Sequence, residues 1–205
     1  MDILKQGIIV ILLAVMPALY AQDYNAIESA FKSSYELESA GKYSEAVNVL
    51  KEIYQEDSYE INLRLGWLTY LSGNFTEAIP YYQKSIELKP LSVEARLGLV
   101  YPASAMGNWT HVENMYNEIL EIDPQNATVN YRMGLIYYGR EDYATATQYF
   151  EKVINQYPFG YDGVIMMAWT NFKLEKLREA KVLFQKALLI SPEDASAMEG
   201  LELLK

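Results

Sequence analysis

The chain contains no cysteine and only one histidine, His111, among its 205 residues. Without cysteine it forms no disulfide bonds, has no thiol nucleophile and cannot build a zinc site on thiolates. His111 follows Trp109 and Thr110 at the expected start of a helix, where a lone histidine is more typical of a solvated cap than of a catalyst. Thiol chemistry and thiolate metal sites are therefore excluded.

Sequence motifs of the common nucleotide-binding and hydrolytic enzymes are also missing. There is no Gly-rich phosphate loop, no His-Glu-x-x-His pair and no Gly-x-Ser-x-Gly elbow. Carboxylates are numerous, but they are spread as on any solvated helical surface, and no two are set apart as an acid and a base. We therefore expect no catalytic residue, no metal and no cofactor, and we predict a binding protein rather than an enzyme.

Basic residues are few, because 17 Lys and Arg stand against 27 Asp and Glu, for a formal net charge of −10. Phosphate binding needs a basic stripe, and none is visible, so nucleic acid is a poor partner and anionic lipid is disfavoured likewise. Glycine and proline are also few, at 11 and 7, while 51% of residues are hydrophobic. This composition predicts one folded body without a disordered tract.

The first 21 residues form a segment of a different kind. An apolar run from Gly7 to Leu19 follows a short polar start, and Ala21 offers a small residue for cleavage. The pattern predicts a signal peptide over residues 1–21 and an exported protein, periplasmic or secreted. The run is shorter than the ~20 apolar residues that span a bilayer, so an uncleaved membrane anchor is the alternative.

Four prolines stand 34 residues apart, and the same side-chain pattern returns around each of them. Within each block a mostly small eighth residue and a mostly small twentieth residue allow two helices to approach, and an aromatic residue four positions later fills the space. The proline then ends the second helix and turns the chain. The eighth residues are Gly66, Val100, Gly134 and Ala168; the twentieth are Ala78, Val112, Ala146 and Ala180; the aromatic ones are Tyr82, Tyr116, Phe150 and Phe184; and the prolines are Pro90, Pro124, Pro158 and Pro192.

This pattern resembles the tetratricopeptide repeat, a 34-residue helix-turn-helix unit. The resemblance implies an all-α fold, an α-solenoid of about five helix-turn-helix repeats with a C-terminal capping helix, in one domain over residues 22–205. The repeats are expected at 27–58, 59–92, 93–126, 127–160 and 161–194, and the cap helix at 195–205. One departure is the fourth place of each block, where the family favours Trp and this chain has Asn62, Arg96, Asn130 and Val164.

The resemblance also implies the position of a binding groove, because in this family the first helices of successive repeats line the concave face. The columns that face it are rich here in aromatic and aliphatic side chains. The family's chaperone adaptors carry Lys, Asn and Arg in these columns to clamp a C-terminal carboxylate, so we expect no such clamp. The predicted groove residues are Tyr35, Leu63, Trp67, Tyr70, Tyr101, Tyr131, Tyr138, Trp169 and Phe172.

Two interpretations of this aromatic stripe stay open, since aromatic residues at helical spacing are also typical of a core. As a set they favour a binding surface, because Trp and Tyr dominate binding hot spots. We hypothesise a non-enzymatic scaffold that holds a peptide or a helix of a partner protein in the groove. The alternative is a polysaccharide or cell-wall glycan whose sugar rings stack on Trp and Tyr, and self-assembly through the terminal repeats is a third option.

Acidic residues recur at the second place of most blocks, at Glu28, Glu60, Glu94 and Asp162. An acid in the first turn of a helix is stabilised by the helix dipole, which explains the pattern without any function. The alternative is an acidic rim that selects partners with Lys or Arg.

Overall fold

A computed structural model describes residues 24–205, and within that range every regular element is an α-helix. The predicted signal peptide lies outside the described residues, so export stays a prediction. No helix in the described range is both long and apolar enough to cross a membrane. The helices are α1 (residues 24–39), α2 (Tyr43–Glu52), α3 (Tyr59–Leu71), α4 (Phe75–Leu88), α5 (Val93–Ala105), α6 (Trp109–Ile122), α7 (Ala127–Gly139), α8 (Tyr143–Gln156), α9 (Tyr161–Lys173), α10 (Leu177–Ile190) and α11 (Ala195–Glu202).

The described chain forms two compact units, residues 24–112 and residues 113–205, with the boundary inside α6. In the first unit α2 packs on α3, and α3, α4 and α5 pack on one another. In the second unit α7 packs on α8, α8 on α9, and α9, α10 and α11 on one another. Contacts of α3 with α5 and of α9 with α11 join alternate helices, as in stacked helical repeats. The predicted all-α, α-solenoid fold class is confirmed.

The mostly small residues at the eighth and twentieth places of each block and the aromatic residues four positions later pack together in the core. All twelve residues at these positions are buried. A methyl group added at Gly134 would lie 2.5 Å from the ring of Phe150, and one at Gly66 would lie 3.0 Å from the ring of Tyr82. At Gly134 and Gly66 the aromatic ring of the second helix therefore lies so close to the backbone of the first that a larger residue would force the ring to move.

The turn inside each helix pair contains one residue with a positive φ. Glycine accepts this left-handed conformation freely, whereas a side chain makes it unfavourable. The residues are Gly41 (φ 72°), Gly73 (83°), Gly107 (71°), Glu141 (63°) and Glu175 (59°). The two glutamates thus occupy the position that glycine holds in the other three turns, and the left-handed backbone strains them.

Replacing Glu175 with glycine is expected to raise the free energy of unfolding by about 0.5–1 kcal/mol. The left-handed conformation costs a residue with a side chain roughly 1–2 kcal/mol, part of which the greater freedom of glycine in the unfolded chain cancels. Urea unfolding followed by circular dichroism measures the change. The control is the reverse substitution at the equivalent position, Gly73→Glu, which places a side chain at φ 83° and should lower stability. A less stable Glu175→Gly protein would contradict the interpretation.

Side chains at the fourth place of the block, where the family's Trp is missing, form hydrogen bonds with backbone carbonyls near the start of the helix. Asn62 Nδ2 donates to the backbone carbonyls of Glu56 and Ser58, at 3.0 and 2.7 Å. Asn130 makes the equivalent two bonds, at 3.1 and 2.9 Å, and Arg96 Nη1 donates at 3.0 Å to the carbonyl four residues before it. The Asn62 and Asn130 side chains thus bind a carbonyl of the preceding loop and add a second hydrogen bond to the N-cap carbonyl, which already accepts a backbone N–H.

Candidate functional site

The first unit contains a cleft of about 790 Å³ whose walls are the helices α1, α3 and α5. These are the first helices of three consecutive helix pairs, and side chains four residues apart point from each helix to the same side. We name it the α1–α3–α5 cleft. It is lined by Phe31, Tyr35, Tyr59, Glu60, Leu63, Arg64, Trp67, Tyr82, Val93, Glu94, Leu97, Gly98 and Tyr101.

Four of the predicted groove residues, Tyr35, Leu63, Trp67 and Tyr101, line this cleft. Tyr70 does not line it, but its ring contacts those of Trp67 and Tyr101. The ring centroids of Trp67 and Tyr101 lie 5.6 Å apart, edge to face, and Tyr70 lies 5.7 Å from Trp67 and 5.5 Å from Tyr101. Tyr35 and Tyr101 are 53% and 49% exposed. The cleft therefore offers aromatic faces to solvent on rings held in place by neighbouring rings.

Arg64 lies in the wall of the cleft, although its side chain is only 8% exposed. Its Nη1 is 2.6 Å from Glu38 Oε2, and its Nε donates to Ser34 Oγ at 3.1 Å. Its guanidinium carbon stands 3.8 Å above the centre of the Tyr35 ring. The other oxygen of Glu38 accepts a hydrogen bond from Trp67 Nε1 at 2.6 Å. Glu38 thus fixes the positions of both the guanidinium and the indole.

One nitrogen of Arg64 is left over from this arrangement. Nη2 is buried and has no hydrogen-bond partner among residues 24–205. Buried polar groups almost always have a partner, so this nitrogen, on a residue that lines the cleft, is a donor that lacks its acceptor.

Two carboxylates, Glu60 and Glu94, lie at the exposed edge of the cleft. A hydrogen bond from its own backbone N–H, at the start of α3, lowers the pKa of the Glu60 carboxyl, and the Lys89 ammonium at 3.1 Å lowers it further. Glu60 is therefore ionised at neutral pH. Glu94 accepts a hydrogen bond of 3.3 Å from the Tyr59 hydroxyl, and burial raises the pKa of that phenol. Lys89 also stands 4.1 Å from the centre of the Tyr59 ring. Both an acidic edge and the helix-dipole explanation fit these residues.

The remaining predicted groove residues belong to the second unit, where they pack on the core. Trp169 Nε1 donates to Ser196 Oγ at 2.8 Å, and its ring lies 4.9 Å from the buried ring of Phe184. Phe172 lies 5.7 Å from Trp169. Both side chains are half-buried against the cluster that joins α9, α10 and α11.

Tyr131 and Tyr138 are likewise half-buried. The ring of Tyr131 lies 6.0 Å from Phe150, and that of Tyr138 lies 5.3 Å from Tyr143. Burial raises the pKa of both phenols. Each of these contacts lies within the second unit, so a ligand-binding role for its four predicted residues stays a prediction.

His111 differs from its expected environment. It lies in the first turn of α6 and is half-buried, and its Nε2 is buried without a hydrogen-bond partner in the described part of the chain. The buried Nε2 does not fit the expectation of a solvated cap. Among residues 24–205 no group of three His, Asp or Glu side chains is placed to hold a metal ion.

Sequence reasoning missed Arg64, Glu38 and Ser34. The predicted groove was read from the second, fifth, ninth and twelfth places of each block, and Arg64 stands at the sixth. The only signal was a basic side chain between Leu63 and Leu65, in a stretch that is otherwise apolar. Its partners lie 26 and 30 residues earlier in the chain, and only the stacking of α1 on α3 brings them together.

Profiles of one family match this chain. They carry the description tetratricopeptide repeat and match residues 31–99, 129–159 and 162–194, which together are more than half of the chain.

Two curated relatives are much longer than this chain. The TPR repeat-containing protein YpiA of Bacillus subtilis (strain 168) is 24% identical over 165 residues, which are 78% of this chain and 39% of that protein. The Protein O-mannosyl-transferase TMTC1 of Homo sapiens is 27% identical over 155 residues, which are 71% of this chain and 17% of that protein. The chain therefore spans less than two fifths of the length of either relative.

Solved structures show the same fold. A tetratricopeptide repeat protein from Parabacteroides merdae ATCC 43184 is similar with a TM-score of 0.73 and 20% identity, over 88% of this chain and 72% of that one. YrrB, described as a TPR protein with an unusual peptide-binding site, is similar with a TM-score of 0.65 and 14% identity, over 84% of this chain and 90% of that one. The helical stacking, the repeat columns and the profile matches agree: the chain belongs to the tetratricopeptide repeat family.

Proposed function

We propose that this protein is a non-enzymatic interaction scaffold that binds an extended segment or a helix of a partner protein in the α1–α3–α5 cleft. The observation that carries the proposal is the cleft of about 790 Å³ lined by Tyr35, Trp67 and Tyr101, with two of the three rings about half exposed. Proteins of this repeat family present such surfaces to partners.

The chemistry of the cleft supports a peptide as its occupant. Trp and Tyr supply large apolar contact areas with few rotatable bonds, so little conformational entropy is lost when a ligand packs on them. One hydrogen bond fixes Trp67 to Glu38, and ring contacts fix it to Tyr70 and Tyr101, so the surface is ordered before a ligand arrives. Preorganisation of this kind lowers the cost of binding. The peptide-binding site named for the similar protein YrrB is consistent with this function.

Trp67 itself can report occupancy of the cleft, because the chain has only three Trp residues. In the variant Trp109→Phe/Trp169→Phe it is the single indole. Peptides selected on the wild-type protein from a random 12-residue phage library should shift its emission on titration. In the wild-type background Trp67→Ala should weaken binding of the same peptides at least about tenfold, as truncation of an interface Trp commonly does.

The matched control is Trp109→Ala, since Trp109 is 58% exposed and does not line the cleft. Its peptide affinity should equal that of the wild type. Tyr101→Ala, at a 49% exposed position, gives a second cleft variant with a smaller risk to folding. Failure to select any peptide, or equal affinity of both cleft variants and the wild type, would rule the proposed function out.

The glycan alternative has no support from the relatives described above. The same single-Trp variant tests it, because soluble cell-wall oligosaccharides that stack on Trp67 would also shift its emission. A shift with oligosaccharides and none with peptides would favour the glycan over the peptide.

A further inference from the structure

The unpaired nitrogen of Arg64 specifies the chemistry of a ligand more closely than the aromatic walls do. A guanidinium carries five N–H donors and no acceptor. Ser34 takes the donor of Nε, Glu38 contacts Nη1, and the Tyr35 ring covers one face. The N–H groups of Nη2 find no acceptor among the described residues. A ligand that satisfies them must therefore present an acceptor, most simply an oxygen atom.

The charges around Arg64 decide what kind of oxygen this is. Glu38, at 2.6 Å, already neutralises the guanidinium, and Lys89 offsets Glu60 at the edge. Glu94 then leaves the cleft without an excess of positive charge. A ligand carboxylate or phosphate would lose its hydration and face carboxylates in return, which is unfavourable. An uncharged carbonyl oxygen accepts the same hydrogen bonds without that repulsion.

We propose that Arg64 is the specificity-determining residue of the cleft and donates from Nη2 to an uncharged amide carbonyl oxygen of the bound peptide. This inference rests on the proposed function. The acceptor is a main-chain carbonyl or the side-chain amide of Asn or Gln. Residues of the peptide that flank it lie against the aromatic rings, and Lys or Arg beyond them meets Glu60 and Glu94 at the edge.

The test uses the peptides selected from the 12-residue phage library, amidated at the C-terminus, and the variant Arg64→Lys. Lysine keeps a positive charge beside Glu38 but lacks the second nitrogen of the fork. The dissociation constant of the peptides, measured by fluorescence anisotropy, should rise at least about tenfold, since hydrogen bonds to charged groups have this magnitude. The fold of the variant is checked by circular dichroism and by its thermal midpoint.

Arg96→Lys is the matched control. Arg96 stands on α5, is also 8% exposed, and does not line the cleft. It should bind the peptides with wild-type affinity. If Arg64→Lys does not fold, the wild-type protein with ¹⁵N-labelled arginine gives a second measurement: the Nη2 protons of Arg64 should exchange more slowly with water when the peptide is bound.

Variants of the peptide distinguish a main-chain carbonyl from a side-chain amide as the acceptor. If replacing an Asn or Gln of the peptide with Leu lowers wild-type affinity but leaves Arg64→Lys affinity unchanged, the acceptor is a side-chain amide. If no such replacement matters and Arg64→Lys still weakens binding, the acceptor is the main chain.

Other outcomes overturn the inference. Equal binding of the wild type and Arg64→Lys, together with weak binding by Trp67→Ala, leaves the proposed function standing and removes the role of Arg64. Unchanged exchange of the Nη2 protons on peptide binding also overturns the inference. The same is true of a peptide affinity that depends on Asp, Glu or a free C-terminal carboxylate of the peptide. If the library yields no peptide at all, the proposed function fails first and the inference with it.

Discussion

Replacing Phe184 with alanine is expected to lower the free energy of unfolding by about 3–5 kcal/mol, as removal of a fully buried aromatic side chain does. Phe184 is fully buried in the cluster that joins α9, α10 and α11. Its ring lies 4.9 Å from Trp169, and a methyl group at Gly200 would lie 2.3 Å from it. The backbone of α11 therefore lies directly on the ring, and removing the ring leaves a cavity beneath the last helix.

Urea unfolding monitored by circular dichroism measures this effect. The control is Phe159→Ala in the same unit, because Phe159 is 64% exposed and its removal should change stability by less than about 0.5 kcal/mol. Equal stability of the two variants would show that Phe184 does not join α11 to the pair before it.

Replacing Gly98 with alanine is expected to lower the free energy of unfolding by about 1–3 kcal/mol, the usual cost of overfilling a packed core. The new methyl group would lie 2.2 Å from Cε1 of Tyr82, a side chain that is only 2% exposed. Alanine is favoured over glycine in a helix by up to about 1 kcal/mol, and this gain partly offsets the clash. A net loss of stability therefore means that the Tyr82 ring cannot move away from the new methyl group.

Two variants test this explanation. Gly139→Ala places the same methyl group at the end of α7, where no atom lies within 4 Å, and should leave stability unchanged or slightly raised. Tyr82→Leu combined with Gly98→Ala should lose less than the sum of the two single changes, because the shorter side chain makes room for the methyl group. A Gly98→Ala protein as stable as the wild type would show that the Tyr82 ring is free to shift.

The repeat columns explain why so much of the fold could be predicted from sequence. A small residue opposite an aromatic one, such as Gly134 opposite Phe150, is a local pairing that returns every 34 residues, and each return repeats the same information. The same holds for the turn, where Glu141 stands in register with Gly73 and adopts the same left-handed conformation, although glutamate alone gives no turn signal.

The candidate site was less predictable. The aromatic columns indicated Tyr35, Leu63, Trp67 and Tyr101, which line the cleft. The same columns indicated Trp169, which is half-buried with its ring against Phe184, and its role in binding stays a prediction. An aromatic side chain at helical spacing has the same sequence pattern whether it faces solvent or a neighbouring helix, so periodicity cannot distinguish the two.

The sequence by itself determined the helical repeat, its period and the small and aromatic positions that form the core. These features follow from contacts within about one repeat, and the same pattern recurs in several repeats of the chain. Only the tertiary structure decided that Glu38 joins Arg64 to Trp67 and that Arg64, a residue of the cleft wall, keeps Nη2 without a partner among residues 24–205. Those contacts join single positions on different helices. Their existence depends on how closely α1 stacks on α3, which no repeated pattern in the chain records.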